Sequence, residues 1–226
     1  MLTTSWLTRD ELADYLAASP LPLTLSPTPQ DVATAVAEDL LTHRLPWPTL
    51  DWEAGRYPEG TRDRRLRSRR LVDDLGVDKL HDALDDVLLS VRALTIRQPW
   101  AGAVTHLGKR TENRSWRSGY RGLVLLHAAK EADTRLITQA RQSDPDLPLH
   151  RQAVIATAKI TGCHQARRTE QGGICCSPWG EPGLWHWEIK AVHPLARPVS
   201  CSGALNLWRP SADVLNAVLA VEEEGR

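Results

Sequence analysis

Leu94-Thr95-Ile96-Arg97-Gln98-Pro99-Trp100 opens the part of the chain that decides the fold. It is followed by Gly108-Lys109-Arg110-Thr111-Glu112-Asn113-Arg114-Ser115-Trp116 and by Tyr120-Arg121-Gly122-Leu123-Val124-Leu125-Leu126-His127-Ala128. From Ala93 onward, short apolar runs rich in Val, Ile and Leu recur at strand-like lengths, with turn residues between them. Leu94–Ile96, Leu123–Leu126, Val154–Ala158 and Trp185–Ile189 are the clearest. In the last of these, strand alternation puts Trp185, Trp187 and Ile189 on one face and His186 and Glu188 on the other. Pro99 suits the first turn of a helix from Trp100 to about Leu107, and a second helix is predicted from Lys130 to about Gln142. Several strands with two helices in this length predict a small α+β barrel with flanking helices.

Upstream the texture is helical. Thr8 and Glu11 have capping-box spacing ahead of Leu12, Tyr15 and Leu16. After a proline-rich break, Val32, Val36, Leu40 and Leu41 mark one face of a helix from Gln30 to about His43, which Pro46 and Pro48 stop. The segment 51–60 has turn chemistry and no period. An arginine cluster, Arg62 to Arg70, then leads into an acidic helix with Val77, Leu80, Leu84, Val87 and Leu88 at helical spacing. Arginine clusters bind phosphate by releasing counterions. Here neighbouring aspartates offer local partners, and an internally paired helical surface is expected. The organisation is a helical N-terminal region, 1–92, and a barrel domain, 93–226.

The chain has 226 residues, with 28 basic and 28 acidic side chains. A formal charge of zero argues against a wholesale polyanion binder, so any nucleic-acid contact must come from a local patch. Met1 to Trp6 lacks the basic and apolar pattern of a signal peptide, and no apolar stretch approaches the ~20 residues that span a bilayer. A soluble, cytoplasmic protein without membrane association is expected. Cys163-His164 and Cys175-Cys176 invite a zinc reading. Adjacent cysteines chelate one tetrahedral ion poorly and no Cys-x-x-Cys pair exists, so buried thiols, no metal and no cofactor are expected.

Lys109, Glu112 and Arg114, at spacing 0, +3 and +5, cannot share one face of a straight strand. They converge if the segment enters a strand from a turn. On the residues alone, they read as an ion pair on the barrel rim. The quoted stretches resemble the ASCH family of the PUA-like group, whose pattern includes the Arg-Gln-Pro turn, the Lys-x-x-Glu-x-Arg motif and a Tyr-Arg-Gly strand ending in His-Ala. The later Cys-Ser-Pro-Trp, Trp-His-Trp and Leu-Trp-Arg pieces resemble one subgroup. One departure is that the glycine stands next to the lysine, as Gly108, with Leu107 two positions before it. The resemblance covers about half the chain. It implies a PUA-like β-barrel and a cleft role for the trio, with Lys109 and Arg114 as donors and Glu112 as acceptor for a base edge or exocyclic amine.

Trp100 and Trp116 are candidate stacking platforms, with core plugging as the alternative. Gln98 is placed for bidentate reading of a base edge or for a structural turn, Arg97 stands beside it, and His127 at a strand end is either a cleft donor or a satisfied core histidine. The long loop from Arg167 to Pro182 is expected to flank the cleft. The resulting expectation is a module that binds nucleic acid, RNA favoured over DNA, or a modified nucleobase or nucleotide. The alternative is an amidohydrolase acting on N4-acetylcytidine-like nucleosides, implied by the same resemblance. In it Lys109 is the base, Thr111 and Glu112 are its companions, and the third acidic partner is unassigned, with Glu170 and Glu181 as candidates. The family's threonine position holds Glu112 here, and Thr111 is its neighbour. A third reading has the N-terminal helices recruiting a protein partner.

Overall fold

The computed structural model describes residues 4, 5, 7–19, 27–42, 61–168, 173 and 176–224. The chain divides into a helical unit and a sheet unit.

The helical unit begins with α1 (Arg9–Ala18), α2 (Pro29–Thr42), α3 (Thr61–Leu75) and α4 (Val77–Ser90). The capping box is formed: the Glu11 amide donates to the Thr8 hydroxyl at 3.2 Å, and the Thr8 amide donates to the Glu11 carboxylate at 2.7 Å. Leu12, Leu16, Val36, Leu40, Leu80 and Leu84 are buried together as the helical periodicity predicts. Gly76, at φ +85°, takes the left-handed turn between α3 and α4.

The arginine cluster lies on α3, and much of it is spent inside this unit. Arg64 donates to the carbonyls of Ala17 and Ser19, acceptors left over at the end of α1. Arg65 pairs with Asp14 and Arg69 with Asp10, while Arg9 reaches back to Asp73. The internal pairing expected of this surface is present, with carboxylates from Asp10 and Asp14 of α1 and Asp73 of α3. Arg62, Arg67 and Arg70 face solvent.

The sheet unit runs from residue 91 to 209. Its elements are β1 (Arg92–Gln98), α5 (Trp100–His106), β2 (Thr111–Arg114), β3 (Gly122–Ala132), α6 (Thr134–Ser143), β4 (Ala153–Gln165), β5 (Trp185–Ser200) and β6 (Leu207–Trp208). They form one six-stranded sheet in the order β2-β5-β4-β3-β1-β6. Only β1 and β3 run parallel, joined through α5 and β2; the other pairs are antiparallel. The sheet curls into a half-barrel. Its curl is visible in one bond: β2 and β1 stand four places apart in the order, yet Arg114 donates to the Thr95 carbonyl at 2.7 Å. Leu94, Ile96, Val124, Leu126, Ile160, Trp187 and Ile189 form the core with Val104 of α5.

Two boundaries differ from the sequence reading. The helix predicted from Lys130 begins at Thr134, because β3 continues to Ala132, whose partner is Gln98 of β1. Asp133 then caps the helix, accepting from the Leu136 amide at 3.0 Å. The C-terminal helix α7 (Ala212–Glu224), which the sequence reading put with the barrel, groups with the helical unit and packs on α2. The segment 51–60 lies outside the described residues. Among the described residues, no helix is long and apolar enough to cross a membrane.

Candidate functional site

The charged trio converges where α5 gives way to β2. Gly108 sits at φ +69°, a conformation that costs glycine little, and the turn brings the Lys109 amide onto the Ala103 carbonyl at 3.1 Å. Lys109 therefore precedes the strand, while Glu112 and Arg114, two residues apart, share a face of it. The Glu112 carboxylate lies between the two cations, 3.1 Å from Lys109 Nζ through one oxygen and 3.1 Å from Arg114 Nη2 through the other. Lys109 Nζ also donates to the Thr111 carbonyl. Burial is deep: Lys109 is 2% exposed and Glu112 8%. Each charge is paired, as burial at this depth demands.

Above this trio opens a cleft of about 660 Å³. Its lining includes Trp100, Glu112, Asn113, Arg114, Thr95, His127 and Gln152, with Arg97, Lys130 and Glu131 also present and the loop 202–206 along one side. Arg97 and Glu131 are exposed and 3.9 Å apart, a pair worth little in water. The lining thus sets three cations, Arg97, Arg114 and Lys130, against two carboxylates, one of which is shared with Lys109.

His127 is 1% exposed. Its Nε2 lies 3.1 Å from the Cys201 carbonyl, which only accepts, so that nitrogen carries the proton and Nδ1 keeps its lone pair. Nδ1 is buried and has no hydrogen-bond partner. Burial pushes the imidazole below its ordinary range, with the bond to Cys201 acting the other way. Gly203 presses on this ring: a β-carbon there would lie 2.3 Å from His127 Cε1 and 2.5 Å from Nδ1.

A second hollow of about 310 Å³ shares Trp100, Glu112 and Asn113 with the first and adds Lys109, Trp179 and Glu181. Trp179 meets Trp100 edge to face, with ring centroids 6.3 Å apart. Asn113 holds this loop, donating to the Trp179 carbonyl at 2.9 Å and accepting from the Glu181 amide at 3.2 Å. The described part of the loop from Arg167 to Pro182 therefore flanks the cleft. Glu170 lies outside the described residues.

The remaining candidates sit elsewhere. Gln98 is fully buried: its amide donates to the His150 carbonyl at 2.7 Å and accepts from the Gly102 amide at 3.0 Å. Both ends are committed to holding the turn before α5, and Gln98 does not line the cleft. Trp116 packs edge to face on Trp187 at 4.5 Å, and its carbonyl accepts from the Trp187 indole, which makes it part of the core wall. Thr111 lines a different hollow, with Arg110, Cys176 and Glu188. Sequence reasoning missed Thr95, Asn113, Lys130, Gln152, Trp179 and the loop 202–206. Thr95, Asn113 and Trp179 lay inside quoted motifs; the others carry no local signal.

On another part of the sheet unit, ligand atoms of His164, Cys176 and His186 lie within 4.8 Å of one another. The described cysteines are free but not buried as expected: Cys163 and Cys201 are half-buried and Cys176 is exposed. No protein-family model matches this chain, and no curated protein matches it significantly.

Proposed function

We propose that the cleft receives a single nucleobase, presented by single-stranded nucleic acid with RNA favoured over DNA, or as the corresponding modified nucleoside. The observation that carries this reading is the buried Glu112 carboxylate, held between Lys109 and Arg114 beside the Trp100 ring. A carboxylate that cannot move offers a fixed acceptor for an exocyclic amine or ring N–H, and a neighbouring indole offers a face on which any base stacks. His127 lines the same cleft, with its Nδ1 buried beneath Gly203. Arg97 and Lys130 at the rim supply charge for a phosphate. The preference for RNA, and the assignment to the ASCH group of PUA-like barrels, rest on the sequence motifs; the curled half-barrel is compatible with the α+β fold those motifs imply.

The amidohydrolase reading keeps one observation: Lys109, Glu112 and Glu181 share the smaller hollow. Against it, the Lys109 ammonium already donates to the Glu112 carboxylate and the Thr111 carbonyl, contacts that commit it to holding the turn and strand together.

The test is fluorescence anisotropy at two salt concentrations with short single- and double-stranded RNA and DNA, with and without acetylated cytosine. Trp100→Ala is expected to weaken single-strand binding by the ~1–3 kcal/mol of one stacked base, about 5- to 150-fold. Arg97→Ala combined with Lys130→Ala is expected to lower the salt slope by up to about two phosphate contacts. Binding that neither change alters removes the site from this cleft, and Arg62, Arg67 and Arg70 are then the arginines to substitute. If no oligonucleotide binds, release of acetate from acetylated cytidine decides the hydrolase reading, and protein capture by the N-terminal helices becomes the next question.

A further inference from the structure

We propose that His164, Cys176 and His186 form a binding site for a zinc-class divalent ion, which clips the 176–184 loop onto the sheet. The proposal is independent of what the cleft binds.

Strand register builds two-thirds of the site. β4 and β5 are antiparallel neighbours, and His164 stands directly opposite His186. Alternation along β5 puts His186 and Glu188 on the same face, away from Trp187 and Ile189 in the core. The residue opposite Glu188 is Gly162. A β-carbon on Gly162 would lie 2.5 Å from the Glu188 carboxyl carbon, so the absent side chain is what lets Glu188 lie across β4. From there it reaches His164 Nδ1 at 3.1 Å.

Each imidazole then has one nitrogen committed to an acceptor. His164 Nδ1 faces the Glu188 carboxylate, and Nε2 is the nitrogen that would turn to the ion. His186, fully buried, has Nε2 on the Glu181 carbonyl at 3.1 Å, which places the proton there and the lone pair on Nδ1. That lone pair points at Cys176 Sγ, 2.9 Å away. A carboxylate or a backbone carbonyl holding the far nitrogen is the outer shell that orients histidine ligands. Here both histidines have one.

The distances fit a small ion. Bond lengths of about 2.0–2.1 Å to nitrogen and 2.3 Å to sulfur put tetrahedral ligand atoms roughly 3.3–3.8 Å apart. One ligand atom of each residue lies within 4.8 Å of the others, and Cys176 Sγ lies 2.9 Å from His186 Nδ1, so side-chain adjustments on the order of an ångström bring the set to that spacing. Thiolate with two imidazoles selects zinc-class ions over magnesium or calcium, which require oxygen ligands. Three protein ligands leave one coordination position for water or another ligand. The objection that adjacent cysteines chelate poorly does not apply, because Cys176 is the single thiol of this set and His186 comes from a separate strand.

The ion would join loop to sheet at a place already prepared for it. Glu181 accepts from His186 through its carbonyl and donates through its amide to Asn113, so the loop is already held to β5 and to β2 beside the proposed ligands.

The experiment uses the full chain, reduced and stripped with chelator, then titrated with zinc alone against a competing chromophoric chelator, and separately with cobalt. One zinc per chain is expected, together with a thiolate-to-cobalt charge-transfer band and tetrahedral d–d bands. Cys176→Ser, at an exposed position, is expected to abolish the charge-transfer band. Glu188→Gln keeps every ligand and is expected to weaken zinc about 10- to 100-fold. Circular dichroism confirms that each variant is folded, and His164→Gln repeats the ligand test should Cys176→Ser prove unfolded. The proposal is overturned if the parent chain holds no stoichiometric zinc, or if folded Cys176→Ser and His164→Gln bind it as tightly as the parent.

Discussion

Replacing Glu112 by glutamine removes one negative charge and hardly changes shape, which makes it the most exacting test of the trio. Lys109 keeps its place, because its amide is tied to Ala103 and its stem is buried. Its ammonium, however, loses a carboxylate 3.1 Å away, in a site where its side chain is 3% exposed. Breaking a buried pair by neutralising one partner costs about 3–5 kcal/mol, since the other charge stays without compensation. Arg114 is 23% exposed and keeps the Thr95 carbonyl, so its share of the loss is small. For a chain of this length each kcal/mol lowers the melting temperature by about 2–4 °C, which gives a fall of roughly 6–20 °C by circular dichroism or calorimetry. The double replacement Lys109→Met with Glu112→Leu removes both charges and should recover most of that loss, because an apolar pair of similar volume is often neutral or better. A Glu112→Gln protein that melts within about 2 °C of the parent would refute the argument that the carboxylate compensates a buried lysine.

Two further outcomes follow from the same geometry. The folded state depresses the His127 pKa below the ordinary 6.5, so below that pH the unfolded chain takes up a proton that the folded chain refuses. Stability should therefore fall as pH drops through that value and level off below the folded pKa. His127→Gln should flatten this part of the profile in urea titrations between about pH 7.5 and 5, and an unchanged slope would show that His127 is not its source. Gln98→Ala leaves the His150 carbonyl and the Gly102 amide without their buried partner, at about 1–3 kcal/mol each. It should lower the denaturation midpoint while leaving oligonucleotide affinity of the folded protein unchanged; a selective loss of affinity would make Gln98 a reader of the base after all.

Much of the local structure was legible from neighbours along the chain. Thr8 and Glu11 predicted the start of α1, Val32 to Leu41 the buried face of α2, and the Val- and Leu-rich runs the strands of the sheet. Alternation placed Trp187 and Ile189 in the core with His186 and Glu188 opposite. The convergence of Lys109, Glu112 and Arg114 was legible as a condition, that the segment turn into a strand, and Gly108 supplies that turn. Where local pattern misled, a long-range pairing had the decision. Lys130 to Ala132 carry no strand signal, yet the β1 ladder extends β3 through them. Gln98 has the chemistry of a base reader, but the His150 carbonyl and the Gly102 amide meet its two ends first.

Readable along the chain are the features set within a few residues: helix caps, strand runs, the faces they present and the motif that carries the resemblance. Those depend on backbone propensity and on the periods of 3.6 and 2, which need no distant partner. Which of those faces meet is a matter of long-range packing. The curl brings Arg114 to Thr95 across four strand places, the β4–β5 register sets His164 against His186, and a loop returns Cys176 to them. The clustering of α7 with the first four helices is of the same kind. Such meetings are fixed by ladder register and packing between segments tens of residues apart, and no single segment's composition encodes them.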